Sequence, residues 1–271
     1  MSAAMGDAPV LLYEKRGGVA WVTLNRPRHM NAFNSVLNRA LIKALADAAG
    51  DDGVMVAVLT GAGGKAFSAG GDLKELAERN AAGMDIDATL EEGGMAGTEM
   101  FRAVANFHKP LIAAVDGFCL AGGMEVAALC DMRIATEASS FGLPEAHLGL
   151  MPDPGLVELT RLIPLGEALK LQLSARPMTA KRAYDIGYVQ ELAPDRAALM
   201  VQAEQLAADI ARGAPLSVEA YKKVVKVGRG MTPEQASQLR DALWARIQTT
   251  EDCVEGPRAF TEKRAPVWKR R

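Results

Sequence analysis

The sequence predicts an α/β fold in which buried parallel strands alternate with helices and a purely helical segment follows. Two apolar runs without a charged residue, at 54–59 and 111–115, are typical of strands that are covered on both faces. Helical patterns lie before the first run and between the two. From about residue 195 onwards only helical patterns remain. We therefore expect an α/β core over residues 1–197 and a helical segment over residues 198–271.

The N-terminal half begins with a hairpin and an amphipathic helix. Val10–Glu14 and Val19–Leu24 are predicted strands, joined by a loop over residues 15–18 that contains two glycines. An apolar residue at every fourth position predicts the helix that precedes the strand at 54. These positions are Leu37, Leu41, Leu45 and Ala49. Further along, the glycine-rich stretch 83–97 is expected to form a mobile loop.

The C-terminal segment carries two apolar stripes at helical spacing. The first consists of Met200, Ala203, Leu206, Ala207 and Ile210, and the second of Leu239, Leu243 and Ile247. Thr232 is the expected N-cap of the second helix, with Pro233 at the first helical position and Gln235 at N3. Because apolar stripes need a surface to cover, these helices are expected to pack against a partner surface.

Composition excludes several classes of protein. The chain has 271 residues and a formal net charge of −2, which argues against a nucleic-acid surface. No apolar run approaches the roughly 20 residues that span a membrane. The three cysteines are too scattered for a disulfide framework, and the N-terminus lacks the pattern of a signal peptide. We therefore expect a cytoplasmic protein without a nucleic-acid or membrane partner. His29, His108 and His147 show no metal spacing, so no metal site is expected.

Two glutamates stand in apolar surroundings. Glu125 lies in the first turn of a predicted helix that is otherwise hydrophobic on every face, and Glu145 ends the turn at 141–144. A buried carboxylate is costly unless it is paired, protonated or functional. Two carboxylates aimed into one apolar cleft are suited to general acid and general base catalysis. The structural alternative is that Glu125 caps its own helix or pairs with Arg133.

Two glycine-rich loops follow the buried strands. One covers residues 61–72, and the other leads into Gly122 and Gly123 at the start of a helix. Exposed amides at a strand end and at the positive end of a helix dipole can together form an oxyanion hole. Gly61–Ala66 also fits a G-x-G-x-x-G/A dinucleotide motif loosely, although residues 67–71 interrupt the helix that the motif requires. This fit leaves a nicotinamide-dependent oxidoreductase as an alternative.

The chain resembles the enoyl-CoA hydratase/isomerase (crotonase) superfamily over nearly its whole length. The matching motifs lie at 24–27 with 31–32, 66–72, 122–125, 141–145 with 148–149, and 255–264. The resemblance implies a crotonase-like spiral of ββα units followed by a C-terminal helical trimerisation segment. It also implies a homotrimer or a dimer of trimers.

The resemblance further implies specific site residues. Gly71 and Gly122 would form the oxyanion hole for an acyl-CoA thioester, and Glu125 and Glu145 would be the catalytic acids. The implied substrate-binding residues are Arg28, Met30, Ala32, Ala69, Gly70, Asp72, Leu73, Gly123, Pro144, Phe260 and Lys263. Phe260 and Lys263 would reach the coenzyme A of a neighbouring subunit, whereas Asp72 is expected to cap the helix that starts at Leu73. No cofactor is expected, because coenzyme A is part of the substrate.

The implied reaction is syn hydration of a 2-enoyl-CoA to a 3-hydroxyacyl-CoA. A 3,2-enoyl-CoA isomerase is an alternative, although it needs only one acid. The sequence Pro152-Asp153 after the second acid is more similar to the carnitinyl-CoA dehydratase type, which is a further alternative. Asp153 and Glu158 are expected to add acid near the site, and Leu156-Val157 to add bulk.

Overall fold

The computed structural model describes residues 8–83, 98–152 and 155–271, and its core consists of two sheets. The six-stranded sheet has the order β1-β2-β3-β5-β7-β10 and the four-stranded sheet the order β4-β6-β8-β9. The strands are β1 Leu11–Arg16, β2 Val19–Leu24, β3 Val56–Gly61, β4 Ala66–Ser68, β5 Leu111–Val115, β6 Phe118–Leu120, β7 Met132–Thr136, β8 Ser140–Gly142, β9 Met178–Thr179 and β10 Glu191–Ala193. The predicted loop 83–97 lies outside the described residues, except for Gly83.

Helices surround both sheets and make up the C-terminal part. They are α1 Ser35–Gly50, α2 Leu73–Ala81, α3 Thr98–Ala105, α4 Gly122–Leu129, α5 Gly155–Leu162, α6 Leu165–Ser174, α7 Ala180–Asp185, α8 Arg196–Ala211, α9 Pro215–Gly228, α10 Pro233–Ile247 and α11 Glu251–Thr261. Two 3-10 segments cover Pro27–His29 and Glu145–Leu148. Within the described ranges, no helix is both long and apolar enough to cross a membrane.

The core repeats a strand–strand–helix unit. In each unit the first strand joins the parallel part of the large sheet and the second joins the small sheet: β3 and β4 lead to α2, and β5 and β6 lead to α4. β7 and β8 lead in the same way to the 3-10 segment at Glu145–Leu148. Because β4, β6 and β8 run parallel as neighbours, the loops that follow them emerge side by side. This arrangement confirms the predicted α/β core and its ββα spiral.

The first hairpin is tighter than predicted. Lys15 and Arg16 pair with Ala20 and Val19 as strand residues, so the loop contains only Gly17 and Gly18. These glycines have φ of +58° and +76°, as a two-residue turn with the twist of the flanking strands requires. The prediction of a four-residue loop was therefore wrong, because paired charged residues on an exposed strand resemble a loop in sequence.

The helical predictions agree with the structure in position and differ in detail. Leu37, Leu41 and Leu45 are buried along α1. On α8 the fully buried residues are Leu199, Ala203 and Ala207, while Met200, Leu206 and Ile210 pack beside them only in part. Thr232 forms the predicted capping box with Gln235 at the start of α10. α8 lies on the large sheet and α9 packs against α10, whereas the division at residue 197 stays a prediction.

Candidate active site

The loops after β4 and β6 touch each other at glycines. Gly70 has a φ of +91°, and a Cβ atom there would lie 2.9 Å from the Gly122 nitrogen and 2.4 Å from the Ala121 Cβ. A Cβ atom on Gly122 would in turn lie 3.7 Å from the Gly71 nitrogen. Only glycine at position 70 permits this approach. The two predicted amide loops therefore converge on one point.

The amides of Gly71 and Gly122 are available at that point. Within the described part of the chain, neither amide donates a hydrogen bond. Gly122 is the first residue of α4, where backbone N–H groups have no acceptor inside the helix. A Cβ atom on Gly71 would meet nothing within 4 Å, so the space beside this residue is open. Two adjacent donors without acceptors can hold a single oxygen that gains negative charge.

The residue before Gly122 is strained. Ala121 has φ 50° and ψ −133°, a conformation that residues with a Cβ atom rarely adopt. The surrounding structure holds it there: its N–H donates to the Gly142 carbonyl at 2.8 Å, and its carbonyl accepts from the Glu125 N–H at 3.1 Å. The orientation of the Gly122 amide is thus fixed by the strand end that also leads to Glu145.

A buried asparagine organises the first loop. Asn31 donates through Nδ2 to the carbonyls of Ala62 and Ala66 at 3.0 and 2.7 Å, and its Oδ1 accepts from the Arg26 N–H at 2.9 Å. Next to it, the Ala69 N–H donates to the Met30 carbonyl at 3.0 Å. The sequence motif contains Asn31 and Arg26, but sequence reasoning gave them no role, because such contacts become visible only when the loops are folded together.

This network gathers most of the predicted substrate-binding residues of the first half of the chain. Arg26 donates to the Ala32 carbonyl at 2.5 Å and pairs with Asp72 at 3.0 Å. Phe33 donates to the Gly70 carbonyl at 2.8 Å, which holds the stretch ending at Asp72 beside residues 30–33. Arg28 stands exposed on the preceding 3-10 segment.

Asp72 has the predicted capping role. Its Oδ1 accepts from the Lys74 N–H at 3.2 Å, at the start of α2. Burial on its own would raise the pKa of this carboxyl, but the Arg26 guanidinium and the amides of the first helical turn hold it below its ordinary value. Asp72 therefore stabilises the loop that presents Gly70 and Gly71, and Leu73 begins the helix as expected.

Glu125 lies in the predicted interior helix. All residues of α4 are buried, and Glu125 is only 4% exposed. Its Oε1 accepts a hydrogen bond from the Gly155 N–H at 3.0 Å. A Cβ atom on Gly155 would lie 2.5 Å from the Glu125 Cγ, so a larger residue there would displace this side chain. Sequence reasoning missed Gly155, which lies 30 positions away from its partner.

The suggested pairing of Glu125 with Arg133 is wrong. The Arg133 guanidinium donates instead to the carbonyls of Tyr188, Ala127 and Cys130, at 2.6, 2.9 and 3.1 Å. It also stacks on the Tyr188 ring, 4.9 Å from the ring centroid. The Tyr188 hydroxyl donates to the Met124 carbonyl at 3.1 Å. These two buried side chains therefore bind the backbone of α4 and not the Glu125 side chain.

Glu145 is the second buried glutamate. It is the first residue of the second 3-10 segment, directly after Pro144, and it is 6% exposed. Among the described residues, its Oε2 has no hydrogen-bond partner. Burial raises the pKa of this carboxyl above its ordinary value, although a backbone hydrogen bond opposes the shift. A desolvated carboxyl of this kind favours its protonated form.

The other predicted residues fall into two groups. Gly123 packs on Ser68, where a Cβ atom would lie 2.4 Å from the Ser68 carbonyl oxygen. Phe260 is 86% exposed near the end of α11, and Lys263 follows that helix with a φ of 52°. The polar contacts of the adjoining tail run to Arg212, Asp52 and Glu219, none of which belongs to the site loops. Phe260 and Lys263 are thus presented outward by this chain.

The expectations about extra groups after the second acid stay predictions. Glu158 lies 3.8 Å from Arg161 and 3.7 Å from Arg229, so arginines compensate its charge. Val157 is an exposed residue of α5. Asp153 and the side chain of Leu156 lie outside what the structure describes. The loop after Gly61 leads into strand β4 and not into a helix, so the dinucleotide motif is wrong.

Two of the three cysteines lie in the core, as predicted. Cys119 and Cys130 are buried, and burial raises the pKa of the Cys130 thiol to about 12. Both are core thiols and not nucleophiles. Across residues 8–83, 98–152 and 155–271, no group of His, Cys, Asp and Glu side chains could hold a metal ion.

The fold and the site together define a class of enzyme. ββα units arranged in a spiral, with two converging amides and two buried glutamates at adjacent strand ends, are the features of a crotonase-type acyl-CoA enzyme. The chain belongs to the enoyl-CoA hydratase/isomerase family, whose sequence model matches residues 14–271.

Individual relatives agree with this assignment. The chain is 37% identical to a carnitinyl-CoA dehydratase of Salmonella typhi, over 95% of this chain and 97% of the relative. It is 36% identical to a short-chain-enoyl-CoA hydratase of Clostridium acetobutylicum, over 94% and 95% of the two chains. The crystal structure of an enoyl-CoA hydratase from Mycobacterium tuberculosis H37Rv superposes with a TM-score of 0.86 at 36% identity, covering 97% of this chain and all of the other.

Proposed function

We propose that the protein is an enoyl-CoA hydratase that adds water reversibly to a 2-enoyl-CoA and releases a 3-hydroxyacyl-CoA. The observation that carries this proposal is the juxtaposition of two amides without acceptors, on Gly71 and Gly122, with buried carboxyl groups on adjacent strand ends. Relatives named as a hydratase and as a dehydratase, both carbon–oxygen lyases, support it.

The reaction places negative charge on one oxygen. Attack of water at C3 of the enoyl thioester pushes electrons onto the thioester oxygen and forms an enolate. In our proposal the Gly71 and Gly122 N–H groups hold this oxygen, and the dipole of α4 adds to the field at Gly122. The thioester activates the alkene by itself, so we propose that no cofactor takes part.

The two glutamates differ in a way that suggests their roles. The raised pKa of Glu145 favours a protonated carboxyl, which suits delivery of a proton to C2. Glu125, oriented by the Gly155 N–H, would then take the proton from the attacking water. Proton transfer in the dehydration direction reverses these roles.

Substrate binding and assembly follow from the same placement. We propose that residues 28–32 and 69–73 bind the coenzyme A and thioester portions of the substrate, together with Gly123 and Pro144. Phe260 and Lys263 face outward, which is consistent with their reaching the coenzyme A of a neighbouring subunit in a trimer or a dimer of trimers. The cytoplasmic location stays a prediction.

A carnitinyl-CoA dehydratase-like lyase is the second candidate, because relatives of that name match 95% of this chain. It uses the same chemistry on a substrate with a cationic tail. A 3,2-enoyl-CoA isomerase needs only one acid, so that alternative does not explain the second buried glutamate.

The test combines labelled water with paired substitutions. Enoyl-CoA and carnitinyl-CoA thioesters are screened for change in the conjugated enoyl absorbance, and the product is analysed for oxygen from solvent. Glu125→Gln and Glu145→Gln should each lower kcat by about 10²–10⁴-fold, since each removes a proton-transfer group. Glu158→Gln, a glutamate paired with arginines, serves as the control and should stay active. Full activity in either site variant, or product without solvent oxygen, would refute the assignment.

A further inference from the structure

A second cavity lies at the other end of the core. It has a volume of 650 Å³ and is bounded by the end of α3, by α9 and by α10. Residues 105–108 on its wall precede β5, whereas the active-site loops follow the carboxyl ends of the strands. None of the four proposed catalytic and oxyanion residues lines it. The cavity is therefore separate from the candidate active site.

The walls of this cavity are largely apolar. The apolar side chains on the walls include Phe107, Leu216, Ala220, Val227, Leu243 and Ile247, and the uncharged polar residues Asn106, Thr249 and Thr250 line the rest together with His108 and the charged residues described below. A volume of this size is within the range of about 300–1,000 Å³ that small-molecule sites occupy. The lining suits an aliphatic chain better than a polar molecule.

The charged groups on the lining are mostly cationic. Lys222 and Lys226 share one carboxylate, Asp131, at 2.7 and 3.1 Å. Lys223 and Arg246 also line the cavity, and neither side chain has an ion-pair or hydrogen-bond partner among the described residues. Two cations thus remain available at an apolar wall.

The carboxylate on the lining does not balance them. Glu219 pairs with Arg270 at 2.8 Å, and its second oxygen lies 3.8 Å from His108. Its charge is already compensated by a guanidinium that lies in the C-terminal tail. The cavity therefore keeps an excess of positive charge next to apolar side chains.

We propose that this cavity binds an amphiphile that consists of an aliphatic chain and an anionic carboxylate head, of the fatty-acid type. The chain lies against Phe107, Leu243 and Ile247, and the head pairs with Lys223 and Arg246. Charge complementarity selects an anion, and the apolar walls select a chain over an inorganic ion.

The experiment measures binding of dodecanoate to the intact protein by titration calorimetry. Saturating butyryl-CoA, a thioester without the alkene, occupies the candidate active site throughout. We expect saturable binding of one dodecanoate per chain, with dodecanol binding more weakly. Lys223→Gln combined with Arg246→Gln should weaken dodecanoate binding about tenfold or more, a loss of about 1.4 kcal/mol. Arg39→Gln combined with Lys43→Gln removes the same charge from exposed positions on α1 and should leave binding unchanged.

The remaining outcomes distinguish other occupants. Loss of dodecanoate binding when butyryl-CoA is present would place the fatty acid in the active site and overturn the proposal. Equal binding by dodecanol and dodecanoate, or equal weakening in the two charge variants, would also overturn it. Ala220→Trp fills the cavity without changing its charge, and it should abolish binding. If that variant keeps dodecanoate and instead lowers the molecular mass in light scattering, the surface is a contact between copies of the chain.

Discussion

The two ends of helix α4 differ in whether their backbone groups are hydrogen-bonded. At the N-terminal end the Gly122 amide has no acceptor among the described residues, and Ala121 before it is strained. At the C-terminal end, Arg133 donates to the carbonyls of Ala127 and Cys130. The amide at one end is left without an acceptor in the described chain, whereas carbonyls at the other end accept hydrogen bonds from a buried side chain.

The same division extends across the core. On the side where the strands begin, the buried Lys109 donates to the carbonyls of Ala48 and Asp51 at the C-terminal end of α1, and Lys226 donates to the Leu129 carbonyl at the end of α4. Cations at helix C-termini stabilise both the carbonyls and the helix dipole. If the proposed function is right, the groups that stabilise the fold and the groups that carry out the chemistry lie at opposite ends of the same strands and helices.

The largest effect on stability is expected at the C-terminal end of α4, where Arg133 binds the backbone carbonyls. Arg133→Met keeps most of the side-chain length but leaves buried carbonyl oxygens without donors, which should lower the free energy of unfolding by about 3 kcal/mol. Urea unfolding measures this loss, and Arg39→Met on the exposed face of α1 is the control. The folded fraction should keep kcat within about threefold of the original if the two ends act separately. A large loss of kcat without a loss of stability would contradict the separation.

The next largest effect concerns the carboxylate of Glu125, which lies in the first turn of α4. Gly155→Ala places a methyl group 2.5 Å from the Glu125 Cγ and must displace that side chain, so hydration should fall by about 10²-fold. Gly166→Ala in α6 is a matched control, because a Cβ atom there meets nothing within 4 Å. Steady-state kinetics at saturating substrate compare the two. Equal activity of both variants would show that the position of Glu125 does not limit the reaction.

The sequence predicts the parts of this arrangement that depend on local pattern. A run that is apolar on every face identified α4 and its single acid, and a fourfold repeat identified α1. The capping box at Thr232 was equally visible. These features depend on neighbours within a few positions of each other, which a single sequence displays directly.

The parts that were missed depend on contacts between distant segments. β4, β6 and β8 have three residues each, too few to show a period of two. Asn31 donates hydrogen bonds to carbonyls that lie 31 and 35 positions further along the chain. The Gly155 N–H donates to Glu125, which lies 30 positions before it. The predicted stripe on α8 contained Ala203 and Ala207 but missed Leu199, because that helix has apolar residues on several faces. The spiral of the core and the substrate-binding residues came from family resemblance, whereas the two glutamates and the two glycine-rich loops were visible in the sequence pattern.

A smaller effect concerns the pH dependence of stability at Glu145. Because the folded-state pKa of Glu145 is raised above the ordinary value of 4.5, this group favours the folded state at low pH and loses that contribution as pH rises through its folded pKa. The unfolding free energy of the unmodified protein, relative to that of Glu145→Gln, should therefore decline as pH rises from 4.5. Glu191→Gln on the exposed end of β10 controls for the loss of one carboxylate. A difference that stays constant with pH would contradict a desolvated Glu145.

The smallest effect tests whether the backbone strain at Ala121, before the N-terminus of α4, helps to position the Gly122 amide. Ala121→Gly should relieve about 1–3 kcal/mol of backbone strain, offset by about 0.4–1 kcal/mol of added flexibility in the unfolded chain. We therefore expect unfolding to become harder by about 1 kcal/mol, while kcat falls a few-fold because the Gly122 amide is held less firmly. Ala175→Gly is the matched control, since Ala175 also has a positive φ, of 51°, but ends α6 away from the paired amides. That control should gain stability without any change in kcat. If Ala121→Gly gains stability and keeps full kcat, the strain at Ala121 does not position the amide, and the contrast between the two ends of α4 is one of hydrogen bonding alone.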